Sequence, residues 1–401
     1  LIYWGATEWV LYYIDPPFGV EARSDEAIRW ATAYGIFHWG PIGWAFYCLP
    51  AIALGCSHYI KKTPTLRLSS ACAPILKAQT DRWPGRIIDL FFLIGVISSS
   101  ATGLGFGTSV VSSSLSALTQ IPEGLGLQAA IIIVATTLIA YSVYKGLEKG
   151  ILRLSAINMG LALVFIAFVF IFGPTKFILE MSLFSIGTAI NEFVRMLAWT
   201  DPMERAVFVE SWTVFYWAWW LAMGPFMGMF ICRISEGRTI RQTVLGVLGF
   251  GTLGCTLFFI VLGNYALHLE LTGAYGVVEK VVETSPSAAI AGMVALLPLG
   301  QFWLLFLAVI GIIFMATTYD SASYTLAAGA TRTLNDQRHP ARWHRVFWAI
   351  AIGALPISLL FIGGLRELQT ASLIASLPIL FIYILLGISI MKTLPDVLKK
   401  G

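Results

Sequence analysis

Charged residues are scarce in this chain, where Asp, Glu, Lys and Arg together make up 12% of the 401 residues. A typical soluble domain contains about 25% of them, so this sequence has too few charges to cover a water-facing surface. Hydrophobic residues account for 57% of the chain, and the mean hydropathy is +0.78. The shortage of charge excludes a soluble protein and predicts one embedded in a membrane.

Cysteine and histidine are also few, with five of each. The cysteines have no ligand-like spacing, so we expect them to be small apolar residues and neither disulfides nor metal ligands. The histidines fall at segment ends or between segments, which leaves any nucleophile inside the membrane without a base. We therefore expect no membrane-embedded enzyme, and the lack of a soluble output domain argues against a sensor.

Long apolar runs fill most of the chain and divide into ten segments. A helix needs about 20 apolar residues to cross the hydrocarbon of a bilayer, and most of the segments reach that length. The first is short, and we interpret it as the second half of a truncated helix. The sequence thus predicts an all-α integral membrane protein with about ten transmembrane helices, at 1–14, 36–59, 87–118, 126–144, 152–173, 211–234, 240–268, 300–330, 343–364 and 367–394.

Most of the 26 lysines and arginines lie in every second connection and at the C-terminus. Such an excess marks the cytoplasmic side, so we expect a multi-pass protein with a cytoplasmic C-terminus. This bias accounts for the net charge of +4, and we expect no nucleic-acid partner. Five helices in each half give an inverted repeat, which predicts a first repeat at 1–173, an outer interfacial connection at 174–209, a second repeat at 211–394 and a short cytoplasmic tail at 395–401.

The stretch 212–226 places four tryptophans and a tyrosine on an apolar helix that runs into Gly224 and Pro225. Proline cannot donate a helical hydrogen bond, and glycine loosens the turn before it. We therefore expect the helix to break there, near its middle. Backbone groups freed by such a break in a membrane helix can bind a ligand.

Within this helix, Trp212, Tyr216 and Trp220 are four residues apart and share one face. Trp212 lies near the helix start and fits an aromatic anchor at the lipid interface. Trp219 and Trp220 lie too deep for that role. We expect this deep pair to bind a ligand, with Met223 beside it.

A second aromatic group occupies 38–47, where Trp44 and Tyr47 lie three residues apart on one helix face. Trp39 could join them if Pro41 distorts the turn. The alternative is an aromatic belt at the membrane interface, in which His38 would be an interfacial or hydrogen-bonded histidine.

Neither aromatic stretch contains a carboxylate. A cation bound there would be held by ring quadrupoles, each worth roughly 1–2 kcal/mol when desolvated. This suits a bulky, weakly hydrated onium group better than a metal ion or a primary amine. The pattern predicts a protein that moves a small organic cation or zwitterion across a bilayer.

Two helices, the third of each half, are rich in hydroxyl groups. Sodium is bound in membrane transporters by hydroxyl and main-chain oxygens, and five residues could supply them here: Phe314, Thr317, Thr318, Ser100 and Thr102. The alternative for these small residues is close helix packing. Asp320 and Glu8 are ionisable residues within spans and so point to function, although a structural ion pair or a helix cap remains open for both.

These features closely resemble the betaine/carnitine/choline transporter family over essentially the whole chain. The strongest element is 212–220 running into Pro225-Phe226 and 233–241. The other elements are His38-Trp39 with Trp44 and Tyr47, then 146–150 and 320–323.

The resemblance implies a LeuT-like core of two inverted five-helix repeats, assembled as a homotrimer in a bacterial inner membrane. In the family, the box for the trimethylammonium group comes from the equivalents of Trp39, Trp44, Tyr47, Trp219 and Trp220. One sodium site of the sodium-coupled members uses the equivalents of Phe314, Thr317 and Thr318. Another uses the equivalent of Phe226 with hydroxyls on the helix that here holds Ser100 and Thr102.

One departure from the family concerns Met223, which replaces a further aromatic residue of the box and could suit a sulfonium group. We expect sodium-coupled uptake of a betaine-like zwitterion without a cofactor, with glycine betaine, dimethylsulfoniopropionate, choline and carnitine as candidates. The alternative is a sodium-independent exchanger of carnitine type, in which a bulky or cationic side chain replaces sodium. Thr317 and Thr318 favour coupling, whereas Met227 lies where such a replacement could sit.

Overall fold

The computed structural model describes residues 1–63, 65–145, 148–203, 207–331, 340–362 and 365–398. Within these ranges the regular structure is helical and contains no β-strand. Gly146 and Leu147 of the predicted 146–150 motif, and 399–401 of the predicted tail, lie outside the described residues. The predicted all-α fold is confirmed.

The α-helices follow one another in chain order and are joined by short connections. They are α1 (Ile2–Ile14), α2 (Asp25–His38), α3 (Pro41–Gly55), α4 (Leu68–Ala71), α5 (Ala73–Leu76), α6 (Trp83–Thr119), α7 (Leu125–Lys145), α8 (Glu148–Phe172), α9 (Thr175–Asn191), α10 (Phe193–Ala198), α11 (Phe215–Ile234), α12 (Ile240–Phe258), α13 (Asn264–Leu271), α14 (Val277–Glu283), α15 (Pro286–Ala295), α16 (Gly300–Gly329), α17 (Arg342–Ile362) and α18 (Leu365–Leu398). Three π-helical turns adjoin them, at Cys56–Ile60, Val209–Val214 and Phe259–Gly263.

Local sequence signals explain several helix starts. Ser24 and Ser285 each accept a hydrogen bond (3.1 Å) from the main-chain N–H three residues on, which satisfies a free donor of the first turn. Thr239 forms a capping box with Gln242 before α12. Pro41 occupies the first turn of α3, where its missing N–H has no cost.

Eight helical stretches in the described part of the chain are long and apolar enough to cross a membrane. They are Asp25–Ile60, Trp83–Thr119, Leu125–Lys145, Arg153–Phe172, Val209–Ile234, Ile240–Leu271, Gly300–Gly329 and Leu373–Pro395. The two other predicted segments are also helices: α1 has 13 residues, and the side chains of α17 are described up to Ser358. The division into two inverted repeats stays a prediction.

Two long helix pairs organise the interior. The hydroxyl-rich helices α6 and α16 run antiparallel, since Gly103 lies against Tyr319 and Gly107 lies against Met315. The aromatic helix α11 packs along α3 and also contacts α18 and α6. The connection at 174–209, predicted to be outer, contains α9 and α10, and α9 packs against α2.

The predicted break at Gly224-Pro225 is wrong, because α11 continues as a helix through both residues. The neighbouring helix α18 holds this region in place. A methyl group added at Gly224 would meet the hydroxyl oxygen of Tyr383 at 1.6 Å, and the same hydroxyl donates to the main-chain oxygen of Phe46 (2.9 Å). Proline is tolerated inside membrane helices where neighbouring helices compensate for the lost hydrogen bond, and the irregular turn lies instead at Val209–Val214.

Candidate substrate-binding site

The structure brings the five predicted box aromatics into one contact cluster with Trp220 at its centre. The ring centroids of Tyr47, Trp39, Trp44 and Trp219 lie 4.9, 5.5, 5.5 and 5.6 Å from that of Trp220. Trp220 is 1% exposed, and its contacts come from both α3 and the turn before it. We call these five residues the aromatic cluster.

Trp39 joins the cluster because the chain turns at this residue. Helix α2 ends at His38 and α3 begins at Pro41, so Trp39 and Gly40 form the connection between the two helices. The main-chain oxygen of His38 accepts a hydrogen bond from Trp220 Nε1 (3.1 Å), which ties the turn to α11. The predicted distortion at Pro41 is thus a complete change of helix, placed between residues 38 and 41.

The rings of the aromatic cluster contact one another directly. A cation bound by a ring lies within about 6 Å of its centroid, on the face of the ring. Centroid separations of 4.9 to 5.6 Å leave no room for a trimethylammonium group between the rings of Trp220 and its neighbours. The rings therefore have to move apart before an onium group can enter.

Gly43 sets how closely α3 approaches this cluster, and it provides a first test. A methyl group added at Gly43 would lie 2.5 Å from the Trp220 ring, whereas one at Gly55 on the same helix would have its closest contact at 4.0 Å. We expect Gly43→Ala to lower the free energy of unfolding by about 1–3 kcal/mol and to weaken onium binding several-fold. Gly55→Ala has the same gain in helix propensity without the clash and serves as the control.

Thermal unfolding in detergent and calorimetric titration with glycine betaine measure both effects. Equal behaviour of the Gly43 and Gly55 variants would show that the close packing against Trp220 is unimportant.

The other residues of the aromatic helix take different places. Met223 and Met227 are half-buried and pack against both apolar cores of the protein. Trp212, the expected interfacial anchor, is half-buried, and its ring lies 5.2 Å from that of Tyr12 on α1. His38 is fully buried and is a hydrogen-bonded histidine, in contact with Tyr12 and Thr213.

A carboxyl group does accompany the aromatic cluster, contrary to the expectation from the two aromatic stretches. Glu8 on α1 is 0% exposed and accepts hydrogen bonds from Trp39 Nε1 (3.0 Å) and from the hydroxyl of Tyr216. A third donor is the Tyr12 hydroxyl (2.6 Å). The sequence signal for this group was Glu8 itself, an ionisable residue within an apolar segment.

The first predicted sodium group lies on α16. Thr317 is 5% exposed, and its hydroxyl oxygen lies 3.0 Å from the main-chain oxygen of Ile313 and 3.2 Å from that of Phe314. These are the bonds by which a helical threonine commonly bonds back to its own preceding turn, so a sodium role for Thr317 stays a prediction. Thr318 is half-buried. The side chain of Phe314 is 52% exposed, and the main-chain oxygen of Phe314 is the atom that lies near the Thr317 hydroxyl.

The second predicted sodium group is spread over two helices. Ser100 and Thr102 are buried on α6, and the Thr102 hydroxyl donates to the main-chain oxygen of Ser98 (2.9 Å). Phe226 is 4% exposed on α11, directly after Pro225. Gly103, which follows Thr102 on α6, lies against Tyr319, which is two residues beyond Thr317 on α16. The two predicted sodium groups therefore lie at different levels of the α6–α16 interface.

The sequence profile of a known family, described as BCCT, betaine/carnitine/choline family transporter, matches residues 1–397. The chain belongs to this family. Curated BCCT-like relatives include the uncharacterized transporter YeaV of Escherichia coli strain K12, which is 33% identical over 382 residues, 95% of this chain and 79% of that protein. A carnitine transporter of Acinetobacter baumannii is 32% identical over 394 residues, 98% of this chain and 72% of that protein.

Membership of the BCCT family confirms the resemblance found in the sequence. Members of this family are transporters, so the protein is a multi-pass membrane transporter and not an enzyme. The role of each site residue in this BCCT protein stays a prediction.

Proposed function

We propose that the protein carries out secondary active uptake of a betaine-like zwitterion with a quaternary ammonium or tertiary sulfonium group, driven by sodium. The aromatic cluster would bind the onium group. Candidate substrates are glycine betaine, dimethylsulfoniopropionate, choline and carnitine. The setting we propose is a bacterial inner membrane, with a homotrimeric assembly and a cytoplasmic C-terminus.

The contact of four aromatic rings with the buried Trp220 carries this proposal. Once these rings move apart, their faces would attract a weakly hydrated cation without a direct counter-charge. The ionisable neighbour, Glu8, is one hydrogen bond behind Trp39 and does not take the place of a ring. This arrangement favours an onium group over sodium, potassium or a primary amine as the occupant.

The oxygens around Thr317 support the sodium part of the proposal. Its hydroxyl donates to two main-chain oxygens of its own helix, and a sodium ion would bind these two oxygens and the oxygen of the hydroxyl, which keeps its proton and turns it away. Main-chain oxygens coordinate the coupling ion in secondary transporters. Sodium enters here as a transported co-substrate.

A sodium-independent exchanger is the second candidate function. One observation favours it: Met227 is half-buried on α11 directly after Phe226, where a side chain could take the place of sodium. Uptake that requires a substrate on the opposite side of the membrane, and proceeds equally without sodium, would identify this mechanism.

Binding of an onium panel tests the substrate class, and Met223 tests its selectivity. We expect calorimetry to detect glycine betaine and dimethylsulfoniopropionate but not glycine, which has a primary amine. Met223→Trp adds a ring worth about 1 kcal/mol, so it should raise the affinity for glycine betaine by roughly fivefold and, because the thioether is lost, raise that for the sulfonium compound by less. Ile260→Val, on the half-buried π turn away from α11, is the control.

No binding of any onium compound by the folded protein would contradict the proposed substrate class. An unchanged selectivity in the Met223 variant would remove that residue from the site.

A further inference from the structure

Glu8 is a buried carboxyl group that is not hydrogen-bonded to any cationic side chain. Its three hydrogen-bond donors, Tyr12, Trp39 and Tyr216, are all neutral side chains. None of the ion pairs in the described part of the chain includes Glu8. A buried carboxylate without a partner is costly, and binding a proton removes that cost.

A chain of hydrogen bonds leads away from Glu8. The hydroxyl oxygen of Tyr12 lies 2.6 Å from Glu8 Oε1 and 2.9 Å from His38 Nδ1. His38 Nε2 lies 3.2 Å from the hydroxyl oxygen of Thr213. All four side chains are buried, and they come from α1, the end of α2 and the π turn before α11.

With Glu8 ionised, the donors in this series of hydrogen bonds can point in only one direction. The carboxylate is an acceptor only, so the single hydroxyl proton of Tyr12 goes to Glu8. Toward His38, Tyr12 can then only accept, which places the imidazole proton on Nδ1. His38 Nε2 is left as the acceptor of the Thr213 hydroxyl.

With Glu8 protonated, the same heavy atoms support the opposite direction. The carboxylic acid donates from Oε1 to Tyr12, and Tyr12 donates to His38 Nδ1. The imidazole proton then lies on Nε2 and is donated to Thr213. The second arrangement contains one proton more than the first, and all three hydrogen bonds are kept.

Two members of this hydrogen-bond chain contact the aromatic cluster. Trp39 Nε1 donates to Glu8 Oε2 (3.0 Å), and Trp220 Nε1 donates to the main-chain oxygen of His38 (3.1 Å). An ionised Glu8 adds negative potential beside the rings and favours an onium cation there. A proton on Glu8 removes this contribution, so each positive species should weaken the binding of the other.

Other titratable groups surround Glu8 on several helices. In addition to Tyr12, His38 and Tyr216, the facing groups are Cys255 on α12 and the amino group of Leu1. Glu270 on α13, which also packs against α1, faces Tyr13 instead. Neither Cys255 nor the Leu1 amino group forms an ion pair or hydrogen bond with Glu8 in the described part of the protein.

We infer that Glu8, Tyr12, His38 and Thr213 form a proton-binding relay beside the aromatic cluster, and that a proton on this relay and an onium cation in the cluster disfavour each other. The second half of this inference rests on the proposed function. The first half does not, because a proton can bind to the relay without any substrate.

Infrared difference spectra of the purified protein between alkaline and acid pH test the proton site. We expect the carbonyl stretch of a protonated carboxylic acid to appear on acidification, to shift on labelling with isotopic glutamate, and to be lost in Glu8→Gln. Asp89→Asn is the matched control. Asp89 is also buried, but it accepts from the Ser69 N–H and hydroxyl and lies 3.5 Å from Arg67.

The labelled wild-type protein is informative even if a variant fails to fold, since Glu8 is the only buried glutamate among the described residues. Absence of a glutamic acid band over the pH range in which the protein stays folded would overturn the proton site. Magnetic resonance of isotope-labelled histidine adds a second readout: the signal that is missing in His38→Gln should change from an Nδ1–H to an Nε2–H tautomer on acidification.

The coupling is measured by the affinity for glycine betaine as a function of pH. If the proton and glycine betaine exclude each other, the dissociation constant for glycine betaine should rise by up to about tenfold for each pH unit by which the pH falls below the titration of Glu8. Glu8→Gln should make this constant independent of pH. An onium affinity that is equally pH-dependent in this variant overturns the coupling. If no onium compound binds but the Glu8 band appears, the proposed function fails and the proton site stands.

Discussion

Replacing Trp220 with alanine is expected to raise the dissociation constant for glycine betaine by at least roughly 30-fold, which corresponds to about 2 kcal/mol. The residue is the one ring that contacts all the others of the aromatic cluster. Its removal deletes a ring face that we propose binds the cation, together with the hydrogen bond to the main chain of His38. Isothermal titration calorimetry on the purified protein measures the change.

A buried tryptophan also stabilises the fold, so the control has to remove a comparable side chain elsewhere. Trp303 on α16 is 5% exposed and packs against Phe165 and Phe168, away from the aromatic cluster. Both alanine variants should lose about 3–5 kcal/mol of stability. Only the Trp220 variant should lose binding, and unimpaired binding in a folded Trp220→Ala protein would refute the role of the cluster.

Combined replacement of Thr317 and Thr318 with alanine is expected to abolish the sodium dependence of uptake. Each hydroxyl is a candidate ligand, and the loss of an oxygen partner from a buried polar site costs about 1–3 kcal/mol. Sodium-driven uptake should therefore fall by roughly tenfold or more. Flux into proteoliposomes, with an inward gradient of sodium or of potassium, separates this loss from a general loss of activity.

Thr137→Ala is the matched control for this double variant. Its hydroxyl also bonds back to its own helix, to the main-chain oxygen of Ile133 (2.8 Å), but it is exposed on α7. It should behave as wild type. If the wild-type protein takes up betaine equally in both gradients, sodium coupling is wrong and the exchanger becomes the better account.

The helices and most of the aromatic cluster were predictable because their signals are local. Apolar runs of membrane-spanning length predicted the helices, and Pro41 marked the turn that brings Trp39 to Trp220. Pro225 also predicted a break, but the structure has none there. Tyr383, which lies far along the sequence on α18, packs against this part of α11, and local sequence signals do not reveal such a contact.

Glu8 shows the other limit of the sequence. Its hydrogen bonds join residues separated by 31 and 208 positions, to Trp39 and Tyr216. Hydropathy and spacing report on neighbours along one helix, and they carry no information on which faces of distant helices meet. The two aromatic stretches contain no acidic residue of their own. That Glu8 lies beside them could therefore be found only from the packed structure.

Competition by a neutral isostere tests most directly whether the aromatic cluster recognises positive charge. In tert-butylacetate a carbon atom replaces the nitrogen of glycine betaine, so shape and carboxylate are kept while the cation is lost. Uptake of radiolabelled glycine betaine into proteoliposomes is measured with each unlabelled compound in excess. Our account predicts that unlabelled glycine betaine abolishes the uptake and that tert-butylacetate leaves it unchanged. Equal inhibition by the two compounds, or no uptake of glycine betaine at all, would contradict it.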